Sequence, residues 1–283
     1  MAKVISILNY KGGVAKTTTT ANLGTALWIL GKRVLLVDTD TQCDLSTQLG
    51  YSQSAEDDTL HEWLLKDCDP PVYDRYDGLH YIPSKKDDEF IEKLSKVYHP
   101  EDSLRDHLNT IRDYFDYILI DCMPSDNLIN VNAKTASDSI LIPLECDTFA
   151  VQGLHSLLDS IEKTKKRSNK SLKVEGMLIT SYDKQLKISK SSLAYLESEF
   201  PNMIFETKIR KNVRFCESPM ENKTCFEYEI KAKGAEDYMC LAEELTGEKR
   251  PEDWKEKILN AWLSTPGHEN DENVIEQLKE LNK

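Results

Sequence analysis

The chain has 283 residues, 40% hydrophobic and 30% charged, enough for one large α/β domain or two small ones and unlike a disordered chain. Its 36 basic and 49 acidic side chains leave a net charge of −13, so any affinity for nucleic acid must rest on local patches and not on the total. The opening MAKVISIL turns polar too quickly for a secretory signal, and no stretch approaches the roughly 20 apolar residues of a spanning helix, so a cytoplasmic protein is expected.

In chain order the pattern alternates strand and helix. Lys3 to Leu8 reads as a first strand and Lys16 to Leu30 as a first helix. Arg33 to Asp38, RVLLVD, is a near-continuous apolar run, which marks a strand buried on both faces. Tyr117 to Asp121, Ser139 to Pro143 and Val174 to Thr180 continue the strands, with helices most evident at Val151 to Arg167 and Ser191 to Phe200. Such alternation predicts a doubly wound, mostly parallel sheet with helices on both faces.

Residues 51–116 interrupt this rhythm. They offer a short helix at Leu60 to Lys66, a strand at Leu79 to Ile82 and acidic helices near Asp87 to Lys96 and Ser103 to Arg112. With 17 acids against 8 bases, the segment reads as an acidic elaboration inside a domain spanning 1–247. Arg250-Pro251 then breaks the chain, and residues 248–283 form a C-terminal helical extension with helices at Glu252 to Leu263 and Asn273 to Leu281. The last is apolar at Val274, Ile275, Leu278 and Leu281, but its lysines are balanced by glutamates. A membrane-surface helix is usually strongly basic, so packing against protein is expected. The seven cysteines form no CxxC pair and are odd in number, which points to neither a metal site nor a disulfide framework.

The most informative stretch is NYKGGVAKTTTTANL, Asn9 to Leu23. A strand, a Gly-Gly turn and a helix N-terminus make a phosphate cradle, because unpaired backbone N–H groups and the helix dipole both favour an anion. Lys16 suits the β- and γ-phosphates, and the Thr17 hydroxyl suits Mg²⁺. The strict GxxxxGK[ST] pattern fails at Tyr10 and Ala15. Asp38 ends one strand candidate, with Asp40 two residues later, and Asp121 ends another. Ligands of doubly wound sheets sit at such strand ends, where an acid can hold Mg²⁺ and a second can orient water. Basic residues gather in two windows, nine against three acids from Glu162 to Lys190 and seven against four from Lys208 to Lys233, so a local patch exists despite the total.

KGGVAKT resembles the deviant Walker A box of the ParA/MinD ATPases, whose added lysine corresponds to Lys11. GKRVLLVDTDTQCDLSTQLG, FDYILIDCMPSDNLINVNA, KIRKNVRFCESP and EYEIKAKGAEDY are similar, in the right order, to further segments of the ParA family, from residue 3 to about 246. Ala15 departs from the family's glycine, and Thr41 and Met123 from prolines. The methyl of Ala15 matters only where φ must be positive.

The resemblance implies a P-loop ATPase with ATP and Mg²⁺. It implies phosphate binding by Gly12, Gly13 and the neighbouring backbone of Val14 and Ala15. Lys16 would serve the β- and γ-phosphates and Thr18 would approach the α-phosphate. Thr17, Asp38 and Asp121 would form the metal shell, and Asp40 would position the water. Lys11 would reach the ATP of the opposite subunit in an ATP-state homodimer, acting as an arginine finger does. Lys208, Arg210, Lys211, Arg214, Lys231 and Lys233 are its candidates for non-specific DNA binding, and part of that segment would also approach the adenine. The family further implies a nucleoid-associated protein whose hydrolysis is stimulated by a cargo-bound partner. The cargo would be a plasmid, a chromosomal origin or a protein body such as a carboxysome. A MinD-like membrane ATPase and a metabolic synthetase on a related fold are the alternatives. Stable membrane association is not expected, and the absence of an N-K-x-D run removes the usual guanine signal.

Overall fold

The computed structural model describes residues 1–52, 54, 57–66, 68–146 and 150–283. Among them, short apolar runs form eight strands: β1 (Lys3–Ile7), β2 (Val34–Asp38), β3 (Tyr73–Tyr76), β4 (Leu79–Ile82), β5 (Tyr117–Asp121), β6 (Ser139–Glu145), β7 (Lys173–Tyr182) and β8 (Ile204–Arg210). They build one sheet in the order β3-β4-β2-β5-β1-β6-β7-β8. Every pairing is parallel except the antiparallel edge pair β3–β4. The helices are α1 (Lys16–Ile29), α2 (Asp44–Gln48), α3 (Leu60–Leu65), α4 (Phe90–Leu94), α5 (Ser103–Ile111), α6 (Leu128–Ala136), α7 (Ala150–Arg167), α8 (Lys187–Glu199), α9 (Arg214–Glu217), α10 (Cys225–Tyr228), α11 (Lys233–Thr246), α12 (Trp254–Leu263) and α13 (Glu272–Leu281).

Because strand side chains alternate faces, the central strands feed two cores. Ile5, Ile7, Leu36 and Leu119 pack with Leu23 and Leu27 of α1, Tyr238 and Met239 of α11, and Trp262 of α12. Val4, Leu35, Val37, Ile118 and Ile120 face the other way, onto Trp63, Leu108, Ile129 and Leu157. A sheet covered on both faces needs apolar residues at every position, which is why RVLLVD and YILID look unbroken.

Several elements differ from the sequence reading. β3 was not foreseen, although Asp77-Gly78 with Gly78 at φ +86° is a two-residue hairpin turn. Nor were β8 and α6. The helix expected over Asp87 to Lys96 shrinks to Phe90–Leu94. Within residues 51–116, β4 extends the parallel sheet by pairing with β2. Positions 53, 55, 56 and 67 of that segment lie outside the described residues.

Residues after Gly247 pack onto α1. Trp254, Ile258, Leu259, Trp262 and Val274 join the same apolar cluster as Leu23 and Leu27. Lys257 Nζ donates to the carbonyls of Trp28 and Ile29 at 3.3 and 3.0 Å, a cation at the negative end of α1. Asp271 caps α13 through Val274 N and also accepts from Trp262 Nε1 at 2.9 Å and Lys223 Nζ at 2.7 Å. Leu278 and Leu281 lie against the core with Val274, so three of the four residues on the apolar face of α13 pack against protein. Among the described residues, no helix is long and apolar enough to cross a membrane.

If residues 248–283 complete the α1 core, Ile258→Ala should lower the unfolding free energy by about 2–5 kcal/mol, as large-to-small core changes do. Urea denaturation followed by circular dichroism reads this; a loss under about 1 kcal/mol would mean that the extension rests loosely on the domain.

Candidate active site

Three strands set the site. The parallel register places Ile7 of β1 opposite Asp121 of β5, and Asp121 opposite Asp38 of β2. The carboxyl ends of β1, β5 and β2 are therefore level. The loop leaving β1 turns over them through Gly13 at φ +75° and Ala15 at φ 65°, and α1 then begins at Lys16. A Cβ at Gly12 or Gly13 would meet no protein atom within 4 Å, so that side of the loop is open to a ligand.

Ala15 has the left-handed conformation in which a glycine is unstrained, and an alanine there costs roughly 1–2 kcal/mol. Its carbonyl accepts from Thr19 N at 2.9 Å, which starts the helix. The N–H groups of the first helical turn have no intrahelical acceptors and face the cleft. Val14 is buried, and its carbonyl accepts from Thr180 Oγ1 at 3.2 Å. Its side chain therefore serves the core, and only its backbone is left for a ligand.

Lys16 is 7% exposed, and its Nζ donates to the Lys11 carbonyl at 3.1 Å. Burial pushes its pKa down, opposed by the charge of Asp121. Thr17 Oγ1 donates to Asp121 Oδ2 at 2.6 Å, and Thr20 Oγ1 to Asp121 Oδ1 at 3.4 Å. Asp38 accepts from Ser46 N, Ser46 Oγ and Asp40 N at 2.9, 2.6 and 3.0 Å. Burial raises the pKa of both Asp38 and Asp121, and for Asp121 the neighbouring Asp38 charge adds to it. Two buried carboxylates beside a hydroxyl form an all-oxygen set that suits a hard divalent cation such as Mg²⁺. Among the described residues no group of three His, Cys, Asp or Glu could hold a metal, so the remaining ligands would come from water and a bound phosphate.

Gly12, Gly13, Ala15, Lys16, Thr17, Thr18 and Asp40 line one end of a cleft of about 610 Å³. The far end is built from Ile209, Asn212, Val213, Phe215, Cys216 and Tyr238. There Phe215 meets Tyr238 edge-on, with ring centroids 5.6 Å apart. Gly234 lies against it, and a Cβ there would approach Phe215 to 2.4 Å and force that ring to shift. A polyanion at one end and a flat apolar group at the other match this shape. Lys11 does not line the single-chain cleft, while Asp38 and Asp121 lie beneath it.

Of the six basic residues singled out earlier, Lys208, Arg210, Lys211 and Lys233 gather around a second cleft of about 530 Å³ together with Lys184. Arg210 is held there by Asp237, at 2.6 Å. Arg214 and Lys231 do not line this cleft. Arg214 pairs with Glu217 and Glu229, and Lys231 with Glu280 of α13 at 2.8 Å. Lys211 touches both clefts. Sequence reasoning missed Thr180, Ser181, Tyr238 and Ser46. Thr180 and Ser181 belong to the carboxyl-end half of β7, which the rule for doubly wound sheets could have signalled. Nothing local marks Ser46 as the residue that seats Asp38.

A family model described as an AAA domain matches residues 2–174. The chain is 37% identical over 254 residues to the chromosome partitioning protein ParA of Caulobacter vibrioides, covering 88% of this chain and 95% of that protein. The ATP complex of Cyanothece McdA superposes with a TM-score of 0.78 at 25% identity, over 88% of this chain and 98% of that one. Cobyrinic acid a,c-diamide synthase from Mycobacterium smegmatis, with bound ADP and magnesium, gives a TM-score of 0.75 at 30% identity, over 89% and 98%.

Ala15→Gly removes the left-handed strain but adds freedom to the unfolded chain. The balance should stabilise the protein by about 0.5–1 kcal/mol. Equilibrium unfolding without nucleotide measures it; a less stable glycine variant would show that Ala15 is not strained.

Proposed function

This chain belongs to the ParA/MinD family of P-loop ATPases, and we propose that it is an Mg²⁺-dependent ATPase that positions a cargo through an ATP-bound homodimer on DNA. The observation that carries the reading is the meeting of Lys16, Thr17, Asp38, Asp40 and Asp121 at three level strand ends, under a cleft whose far end is apolar.

The loop amides and Lys16 hold the triphosphate, and Phe215 and Val213 offer an apolar seat to the base. Thr17, Asp38 and Asp121 would hold Mg²⁺, which would supply charge neutralisation to the phosphate oxygens. Asp40 is placed to orient the attacking water. Its backbone is tied to Asp38, and its Oδ1 accepts from Gln42 N at 2.9 Å, which leaves Oδ2 for the water. Lys11 completes the site of a second subunit, so hydrolysis requires pairing. The clustered Lys184, Lys208, Lys211 and Lys233 then bind the phosphate backbone without sequence preference, and pairing doubles the patch. A partner on the cargo stimulates hydrolysis, separates the dimer and frees it from DNA. This cycle places the protein in the cytoplasm, on the nucleoid.

The likeness to the diamide synthase favours a second reading, an ATP-using enzyme with a small substrate. Such an enzyme turns over steadily without DNA or a partner.

Lys11→Ala should abolish dimerisation with a non-hydrolysable ATP analogue, read by light scattering. Asp40→Ala should keep the dimer and slow hydrolysis by about 10²-fold or more. A Lys11→Ala protein that hydrolyses as fast as the parent would remove the trans role.

In gel shifts the parent should retain DNA with ATP and release it with ADP, and retention should fall steeply with salt. Lys208→Glu combined with Lys233→Glu should lose DNA while keeping nucleotide affinity. Equal DNA binding in both nucleotide states would sink the switching cycle.

A further inference from the structure

The loop that carries Lys11 is anchored from outside the nucleotide cleft. Tyr10 OH donates to Asp126 Oδ1 at 2.6 Å. Lys134 of α6 is 1% exposed, and its ammonium donates to Tyr10 OH at 3.2 Å, to Asp126 Oδ1 at 3.1 Å and to Ser160 Oγ of α7 at 2.6 Å. A buried ammonium is costly without such partners, and the hydrogen bonds join the four side chains into one unit. Asp126 is itself placed by Asn130, whose Nδ2 donates to the carbonyls of Met123 (at 2.8 Å) and Ser125.

Lys11 is tied on both sides by its backbone. Asn9 Nδ2 donates to the Pro143 carbonyl at 2.8 Å, and Asn9 Oδ1 accepts from Lys11 N at 3.0 Å. The Lys11 carbonyl accepts from Lys16 Nζ at 3.1 Å. Between these ties the Tyr10 hydroxyl joins the loop to Asp126 and to Lys134 of α6. Neither Tyr10, Asp126 nor Lys134 lines the nucleotide cleft. Asp126 and Lys134 instead line a separate cavity of about 400 Å³ with Ser160, Lys163 and Arg167.

We infer that Tyr10, Asp126 and Lys134 are positioning residues for Lys11: a Lys-Asp-Tyr clamp, its ammonium buried between α6, α7 and the first loop, aims that lysine at the second subunit. The inference rests on the trans reading of Lys11. Its predicted mark is a split between two affinities, with binding of nucleotide to the single chain spared and pairing of chains weakened.

Tyr10→Phe tests it, since the ring and its packing stay and only the hydroxyl is lost. A fluorescent, non-hydrolysable ATP analogue should bind the dilute monomer within two-fold of the parent. The dimer dissociation constant, from analytical ultracentrifugation, should rise about ten-fold, the scale of one hydrogen bond to a charged group. Asp126→Ala should give the same split, because it removes the acceptor of the Tyr10 hydroxyl. Tyr10→Phe combined with Lys11→Ala should hydrolyse no more slowly than Lys11→Ala alone, as expected when one residue acts through the other. If Tyr10→Phe pairs like the parent while Lys11→Ala does not, the clamp is refuted and the reading of Lys11 stands. If Lys11→Ala also pairs like the parent, that reading falls and the clamp with it. Equal losses of nucleotide affinity and pairing in Tyr10→Phe would also refute it, because the clamp would then shape the whole phosphate loop.

Discussion

Two carboxylates buried side by side are the constraint around which this molecule is arranged. Asp38 and Asp121 face each other across adjacent parallel strands, 1% exposed each, and burial raises the pKa of both. Such a pair is unfavourable unless donors surround it. Ser46 and the Asp40 amide supply donors to Asp38, while Thr17, Thr20 and the nearby Lys16 compensate Asp121. Two of those compensating groups, Lys16 and Thr17, are the ones that the proposed reading gives to a triphosphate and its cation, so the same donors would serve the fold and the site.

The first loop bears the other half of that constraint. It must turn sharply enough to bring backbone N–H groups over the strand ends, which needs two residues at positive φ. Gly13 adopts this without strain, whereas Ala15 does so against its methyl. The loop tolerates this because it is tied down at several points. Asn9 binds Pro143, Val14 binds Thr180, and Tyr10 binds the cluster around Lys134. Local strain persists where the surroundings over-determine the backbone.

The peripheral segments are structural parts of the fold. β3 and β4 extend the sheet, and Arg75 of β3 is buried against Trp262 at 4.6 Å while donating to the carbonyls of Leu49 and Asn222. Edge strand, α12 and the loop before α10 therefore share one guanidinium. The acidic C-terminal helix also takes Lys231 into an ion pair. That contact narrows the basic surface to the residues around β8 and the start of α11.

The alternation of apolar runs and the phosphate-loop motif were enough to state a parallel α/β sheet and to single out Lys16, Thr17, Asp38, Asp40 and Asp121, which the fold brings together at one set of strand ends, because these are signals written within a few adjacent residues. The hairpin at Asp77-Gly78 is legible too, since D-G between aromatic runs is a local turn signal. Other features were not legible at all. Ser46 seats Asp38, Tyr238 closes the cleft, and Tyr10 meets Lys134 across 124 positions of chain. No window of sequence contains such pairs; only the crossing order of the sheet brings them together. The same holds for the six basic residues, which are alike in sequence and separate only when Glu217 and Glu229 pair with Arg214, Glu280 with Lys231 and Asp237 with Arg210. Local chemistry decided what the chain can bind, and long-range packing decided which of its groups are left to bind it.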